Sequence, residues 1–285
     1  MNDLKLRASW GVLGNIGNLL AEGANLYNQQ SYMSVGNYND SQTYVQSVPF
    51  NSEYRWEKEE QYNIGLDFGF WNNRLSGTID VYNKETRDLY ISKSISRTSG
   101  FDSMTNYNGG KMRNRGVEVS LNWNVIRTPD TRLSLHANFA YNQNKILDLG
   151  EVSEYELGTS IVRVGLPLGS HYAVKWGGVD STNGSPIYLD RNGNRMATFD
   201  GSQSQASFGT YYAPYMGGFG LDFSHKGFYI SGQFQWKADY YRFNNMRFFN
   251  EDAAKITSYN QYTTVLDYWK QAGDITDIQS PKYQL

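Results

Sequence analysis

The chain has 285 residues, of which 39% are hydrophobic and 15% aromatic (23 Tyr, 14 Phe, 7 Trp). It contains no Cys, which excludes disulfides, thiolate nucleophiles and Cys-ligated zinc. Its 26 Lys and Arg against 28 Asp and Glu leave a net charge of -2, with no basic excess to suggest nucleic acid as a partner.

From the start, Met1-Asn2-Asp3-Leu4 has no basic region or apolar core, so it is not a signal peptide. A fragment boundary is expected there, because a strand begins almost at once. Leu4, Leu6, Ala8, Trp10 and Val12 alternate with Lys5, Arg7, Ser9 and Gly11. The spacing Gly11-x-x-Gly14-x-x-Gly17 fits no phosphate-binding fingerprint and reads as turns leading into a loop. A long polar segment, Leu13 to Lys58, follows; its charge run Arg55 to Glu60 reads as a solvated approach to the next strand, and Glu59-Glu60 as part of a solvated loop.

Tyr62, Ile64, Leu66, Phe68 and Phe70 form the second alternating set, and Leu75, Gly77, Ile79 and Val81 the third, joined by a tight turn at Trp71-Asn72-Asn73. A second polar segment is expected from Ile91 to Met112. Val117, Val119, Leu121, Trp123 and Val125 then alternate with polar residues, as do Leu133, Leu135, Ala137, Phe139 and Tyr141, across a turn holding Pro129-Asp130. The third long segment runs from Leu147 to Pro214. Gly217, Phe219, Leu221 and Phe223 lead through a turn at Ser224 to Gly227 into Phe228, Ile230, Gly232, Phe234 and Trp236, and a fourth long segment starts at Lys237.

A two-residue period means strands with one apolar and one polar face. Seven are expected. Short and long connections alternate, which in an antiparallel meander puts every short turn at one end and every long loop at the other. Transmembrane β-barrels of the outer membrane show this asymmetry, whereas soluble sandwiches rarely carry such loops. Trp71, Trp123, Phe223 and Phe228 beside the short turns, with Trp10, Tyr90, Tyr141 and Trp236 beside the long loops, read as two interfacial girdles. Asp67, Asp80, Glu118, His136, Asp222 and Gln233 fall on the polar face and belong in a wet lumen.

No catalytic constellation is found. His136, His171 and His225 have no metal spacing. Asp190-Arg191-Asn192-Gly193-Asn194 begins like a calcium loop, but Phe199 stands where the bidentate Glu is required, so a tight Asn-Gly turn is expected. Glu251-Asp252 reads as part of a solvated loop. The loops are rich in Tyr, Trp and Asn, among them Tyr27, Tyr32, Tyr38, Tyr44, Tyr211 and Tyr212. Aromatic faces stack on sugars and amides bond their hydroxyls, so Trp176, Tyr188, Tyr240, Tyr241, Asn244 and Asn245 are the substrate-binding candidates, with no metal or cofactor expected.

Several segments in order carry a family resemblance. LKLRASWGVLGN (Leu4 to Asn15), the hairpin EEQYNIGLDFGFWNNRLSGTIDVYNKETRDL (Glu59 to Leu89) and TSGFDSMTNYNGGKMRNRGVEVSLNW (Thr98 to Trp123) are followed by VGLPLGSHYAVKWGGVDSTNGSPIYLDRNGN (Val164 to Asn194). With HKGFYISGQFQW and YWKQAGDITDIQSP, this set resembles the SusC/RagA-like TonB-dependent transporters of Bacteroidota. The resemblance implies an all-β antiparallel transmembrane barrel segment, about 7 strands of a 22-stranded barrel, with short periplasmic turns and long extracellular loops. It implies that residues 1–285 are part of the barrel only, with the plug, N-terminal extension and last strands absent. It further implies a SusD-like surface lipoprotein and the TonB complex as partners, outer-membrane lipid around the wall, and oligosaccharide or peptide import without covalent chemistry. A passive porin and a secreted carbohydrate-binding β-sandwich stand as the alternatives.

Overall fold

A computed structural model describes residues 3–15, 33–46, 49–252, 255 and 258–283; Gly17, Tyr27 and Tyr32 lie outside the described residues. In chain order the strands are β1 (Asp3–Asn15), β2 (Met33–Tyr38), β3 (Ser41–Gln46), β4 (Glu57–Phe70), β5 (Leu75–Ser94), β6 (Ser103–Arg127), β7 (Thr131–Asp148), β8 (Glu154–Leu157), β9 (Ser160–Arg163), β10 (Ser170–His171), β11 (Lys175–Val179), β12 (Pro186–Leu189), β13 (Arg195–Met196), β14 (Tyr215–His225) and β15 (Phe228–Ala238); one helix, α1, spans Asn245–Asn250. They fall into two compact units, one of residues Met1–Tyr155, Val162–Leu168 and Tyr212–Tyr240, the other of Glu156–Ile161, Gly169–Tyr211 and Tyr241–Leu285.

The first unit is a 7-stranded antiparallel sheet in the order β1-β4-β5-β6-β7-β14-β15. These are the seven strands expected from the alternation. Register holds one face apolar across the whole sheet: Leu6 pairs with Leu66, Leu66 with Ile79, Ile79 with Val119, Val119 with Phe139, and further along Phe219 with Phe234. Because side chains alternate, the next residues line up a polar row on the other face: Lys5, Asp67, Thr78, Ser120 and Asn138. The apolar face is not covered by the chain: Leu6 is 74% exposed, Ile64 59% and Phe234 57%. A soluble protein would not leave a seven-strand apolar sheet face bare. The polar face is internally bonded, with Arg7 Nε donating to both carboxylate oxygens of Asp67 at 3.0 Å and its Nη2 reaching Asp80 Oδ2 at 3.1 Å.

The three short turns lie at one end. Trp71, Asn72 and Asn73 all take left-handed φ (53°, 54° and 57°), closed by the Arg74 amide on the Trp71 carbonyl at 3.2 Å. Thr128 Oγ1 accepts from the Thr131 amide at 3.0 Å around Pro129-Asp130. Lys226 and Gly227 have φ 43° and 93°, as the primed two-residue hairpin turn requires. The Lys226 amide also donates to the Asp130 carbonyl at 3.0 Å, placing two of these turns together.

At the other end the structure corrects the expectation of a long loop over Ile91 to Met112. β5 continues to Ser94 and β6 starts at Ser103, so the two form one tall hairpin with its tip at residues 95–102. The two-residue period fades there because bulges interrupt the register between Arg87 and Leu89, Leu89 and Tyr90, and Ile91 and Lys93. Tyr90 is therefore within a strand, stacked on Tyr54 at 5.1 Å, and does not end one. The 25 residues of β6 exceed the 9–11 a barrel strand needs to cross a bilayer, so much of this hairpin stands outside it. It is held by a small core of Ile91, Ile146, Leu149 and Val162, with Leu89, Tyr107, Met112 and Leu168 packed around it. Glu59 and Glu60, expected in a loop, sit in β4, where Glu60 accepts from Trp10 Nε1 at 3.2 Å, Tyr62 Oη at 2.6 Å and Arg87 Nη2 at 3.2 Å. Arg55 is likewise engaged, its Nη2 bonding Asp88 Oδ1 at 2.6 Å.

Candidate functional site

The second unit carries the candidate site. Its frame is the sheet β11-β12-β13. Trp176 faces Tyr188 across the β11–β12 pair, ring centroids 5.6 Å apart and edge-to-face, and Tyr188 makes a second edge contact with Phe199 at 5.5 Å. Two carboxylates pin the turns of this sheet. Asp180 Oδ1 accepts from the Thr182 amide at 2.8 Å and hydroxyl at 2.6 Å. Asp190 Oδ1 accepts from the amides of Asn192 and Asn194, both at 2.8 Å, and its Oδ2 from Asn194 Nδ2 at 2.9 Å. Those bonds hold both carboxyls below the usual carboxylate range. They use the Asp190 oxygens within the turn itself, which agrees with an Asn-Gly turn and not a calcium loop.

The segment after α1 docks on the same hairpin. Trp269 Nε1 donates to the Ser181 carbonyl at 3.0 Å, and the amides of Gly273 and Ser280 reach the Ser181 and Gly184 carbonyls at 2.8 and 3.0 Å. Gly184 has φ +76°, and a Cβ there would meet Trp269 Cδ2 at 2.5 Å, so this contact requires glycine on both counts. Two of the family-like segments, around Gly184 and around Trp269, are thus packing partners.

A groove of about 730 Å³ opens between β11–β12, α1 and this docked segment. Trp176, Tyr188 and Asn244 line it, so three of the six residues singled out from sequence converge. Asn244 caps α1, its Oδ1 accepting from the Arg247 amide at 3.0 Å. The groove also holds residues the sequence reading missed: Arg247 and Phe248 from α1, its C-cap Glu251, and Asp277. Asn244, Arg247, Phe248 and Glu251 follow i, i+3, i+4, i+7, a one-face helical pattern that could have flagged them. Arg247 Nε bonds Glu251 Oε2 at 2.5 Å, and that partner raises the guanidinium's pKa further. Burial pushes the Tyr188 phenol up.

Tyr240, Tyr241 and Asn245 are not groove-lining residues. The Tyr241 ring covers Gly209, its amide donates to the Thr210 carbonyl at 2.9 Å, and its carbonyl accepts from His171 Nε2 at 2.8 Å, so it acts as a brace. Asn245 is the exposed first residue of α1. Glu251 and Asp252, expected in a solvated loop, close the helix and pair with Arg247 and Lys255. The histidines stay apart in role: His136 lies 3.7 Å from Asp222, His171 bonds Tyr241, and His225 bonds Thr131 Oγ1 at 2.8 Å. Among the described residues no cluster of His, Asp and Glu is arranged for a metal ion.

A bare apolar face, a hydrogen-bonded polar face, short turns at one end and strands too tall for a bilayer at the other define part of an outer-membrane β-barrel wall. The family model described as "TonB dependent receptor-like, beta-barrel" matches residues 1–276. The chain belongs to that family and is of the SusC/RagA type, an outer-membrane protein of Gram-negative bacteria. It is 37% identical over 215 residues to the TonB-dependent receptor SusC of Bacteroides thetaiotaomicron, covering 68% of this chain and 21% of that protein. To the TonB-dependent receptor P39 of Formosa agariphila it is 28% identical over 334 residues, covering 98% and 31%. A solved structure of the RagAB peptide importer in its closed-closed state superposes with a TM-score of 0.84 at 29% identity, covering all of this chain and 32% of that one. The chain therefore spans between about a fifth and a third of the length of these relatives.

Proposed function

We propose that the protein of which this chain is part imports oligosaccharides across the outer membrane, drawing energy through TonB and working with a SusD-like surface lipoprotein. The observation that carries the substrate class is the convergence of Trp176, Tyr188 and Asn244 with carboxylates in one groove. Aromatic rings offer faces for the C–H surfaces of sugars, and Asp277 offers an acceptor for hydroxyls. The guanidinium of Arg247 is already answered by Glu251, which suits a neutral ligand better than an anionic one. The barrel wall supplies passage and the loops supply recognition; no covalent step is involved. The importer named RagAB is a peptide importer, so a peptide is the second substrate class to be tested.

The test is uptake of labelled oligosaccharides and peptides by cells carrying the full-length protein. Energy-dependent uptake of an oligosaccharide, abolished by an uncoupler, is expected. Trp176→Ala should lower the apparent affinity about tenfold, the equivalent of about 1.4 kcal/mol. Uptake insensitive to the uncoupler would mean a passive porin, and unchanged affinity in the variant would remove the groove from the binding path.

A further inference from the structure

The apolar face of the sheet changes character at its tall end. Register sets Ile64, Val81, Val117 and Tyr141 side by side, then Tyr62, Asn83, Arg115 and Gln143, then Glu60, Glu85, Arg113 and Lys145. All three rows point to the same side, because each is two residues from the last. Glu60 and Glu85 are both answered by Arg87, at 3.2 and 2.8 Å. Arg113, Arg115 and Lys145 make no ion pair among the described residues. Arg115 is oriented by Gln143, its Nε donating to Oε1 at 2.6 Å.

A groove of about 630 Å³ lies along the first two rows, lined by Ile64, Val117 and Tyr141 of the first and by Tyr62, Arg115 and Gln143 of the second, with Arg113 and Lys145 in the row beyond it. The end bearing the long connections is the extracellular end of such barrels. The groove therefore sits where outer-leaflet acyl chains give way to headgroups. Cations at that depth, on the lipid side of the wall, complement an anionic headgroup.

We infer that this groove is a binding site for an outer-leaflet lipid with a phosphate-bearing headgroup. An acyl chain lies along Ile64, Val81 and Val117, the tyrosines flank the glycerol or sugar level, and Arg115, Arg113 and Lys145 hold the phosphate. The site is independent of the nutrient groove described above, and its failure leaves the import reading untouched.

The experiment uses the full-length protein in nanodiscs of phosphatidylcholine doped with a diphosphorylated glucosamine-based glycolipid or with its dephosphorylated form. Lipid retained on the protein is counted by native mass spectrometry, with heat-modifiable gel mobility confirming the folded barrel. The phosphorylated form should be enriched, and each cation near an anionic headgroup is worth roughly a fivefold preference at low salt. R115Q should lower the enrichment about fivefold, and R113Q/R115Q/K145Q should abolish it. The charge-preserving R113K/R115K should keep it to within about threefold, which separates headgroup binding from a folding defect. Equal retention of both lipids by the unaltered protein, enrichment that survives the triple substitution, or its loss in R113K/R115K would each overturn the inference.

Discussion

Substituting Leu66 by Arg tests the assignment of the two faces. Leu66 is the middle residue of the apolar set Tyr62 to Phe70 on β4, between Leu6 and Ile79 on the flanking strands. Four residues separate it from either end of that set. At about 3.3 Å rise per residue this is about 13 Å along the strand, or roughly 10 Å of depth once the strand tilts 35–45°. A guanidinium at that depth is near the bilayer midplane, where Arg on the lipid side costs about 2–4 kcal/mol. Ser120 sits at a similar height but on the polar face, in the row with Asp67 and Thr78. Ser120 is half-buried on the wet face, so Ser120→Arg keeps its charge in contact with water and should cost well under the Leu66→Arg value, about 1 kcal/mol or less. The assay is urea-induced unfolding of the full-length protein in lipid vesicles, followed by heat-modifiable mobility. Equal losses for the two variants would refute a lipid-facing side carrying Leu66.

Three further outcomes follow from the loops and turns. Trp269→Ala removes a ring packed on Gly184 and the bond to the Ser181 carbonyl, so it should destabilise the β11–β12 unit by about 2–3 kcal/mol, read as faster hydrogen exchange at residues 180–185 with the barrel strands unchanged. Lys226→Asn places a residue more tolerant of left-handed φ at the β14–β15 turn, so it should stabilise that hairpin by about 0.5 kcal/mol in the same unfolding assay. Asp180, Asp190, Asp200 and Asp274 are all held below the ordinary 3.8 by hydrogen bonds within their own turns. Folded values below unfolded ones mean a contribution complete above the unfolded pKa and lost as pH falls through the folded values. Hydrogen exchange at residues 180–194, corrected for its intrinsic pH dependence, should accordingly show the same protection at pH 5 as at pH 7 and lose it only as pH falls below the ordinary 3.8; loss of protection already at pH 5 would contradict these turns.

The sequence by itself determined the wall. Alternation such as Tyr62-Ile64-Leu66-Phe68-Phe70 depends only on the pleat of a single strand, and turn signals such as Asn72-Asn73 act over a few residues, so strand number, facing and the end that holds the short turns were all legible locally. The upper part of β5 and β6 was not, because bulges at Leu89 and Ile91 shift the period and a small core, with Ile146 and Val162 distant in sequence, replaces lipid as the source of burial. Glu60 looked like a loop acid since its partners, Trp10 and Arg87, come from neighbouring strands. The short helix Asn245–Asn250 leaves one i, i+3, i+4, i+7 set as the local signal for Arg247 and Glu251, and nothing in that set points to Trp176 and Tyr188 as their neighbours. Tertiary structure alone decided which loop aromatics meet in the groove and which, like Tyr241, brace the chain. That choice depends on contacts between segments some seventy residues apart (Trp176 and Arg247), and no local pattern encodes them.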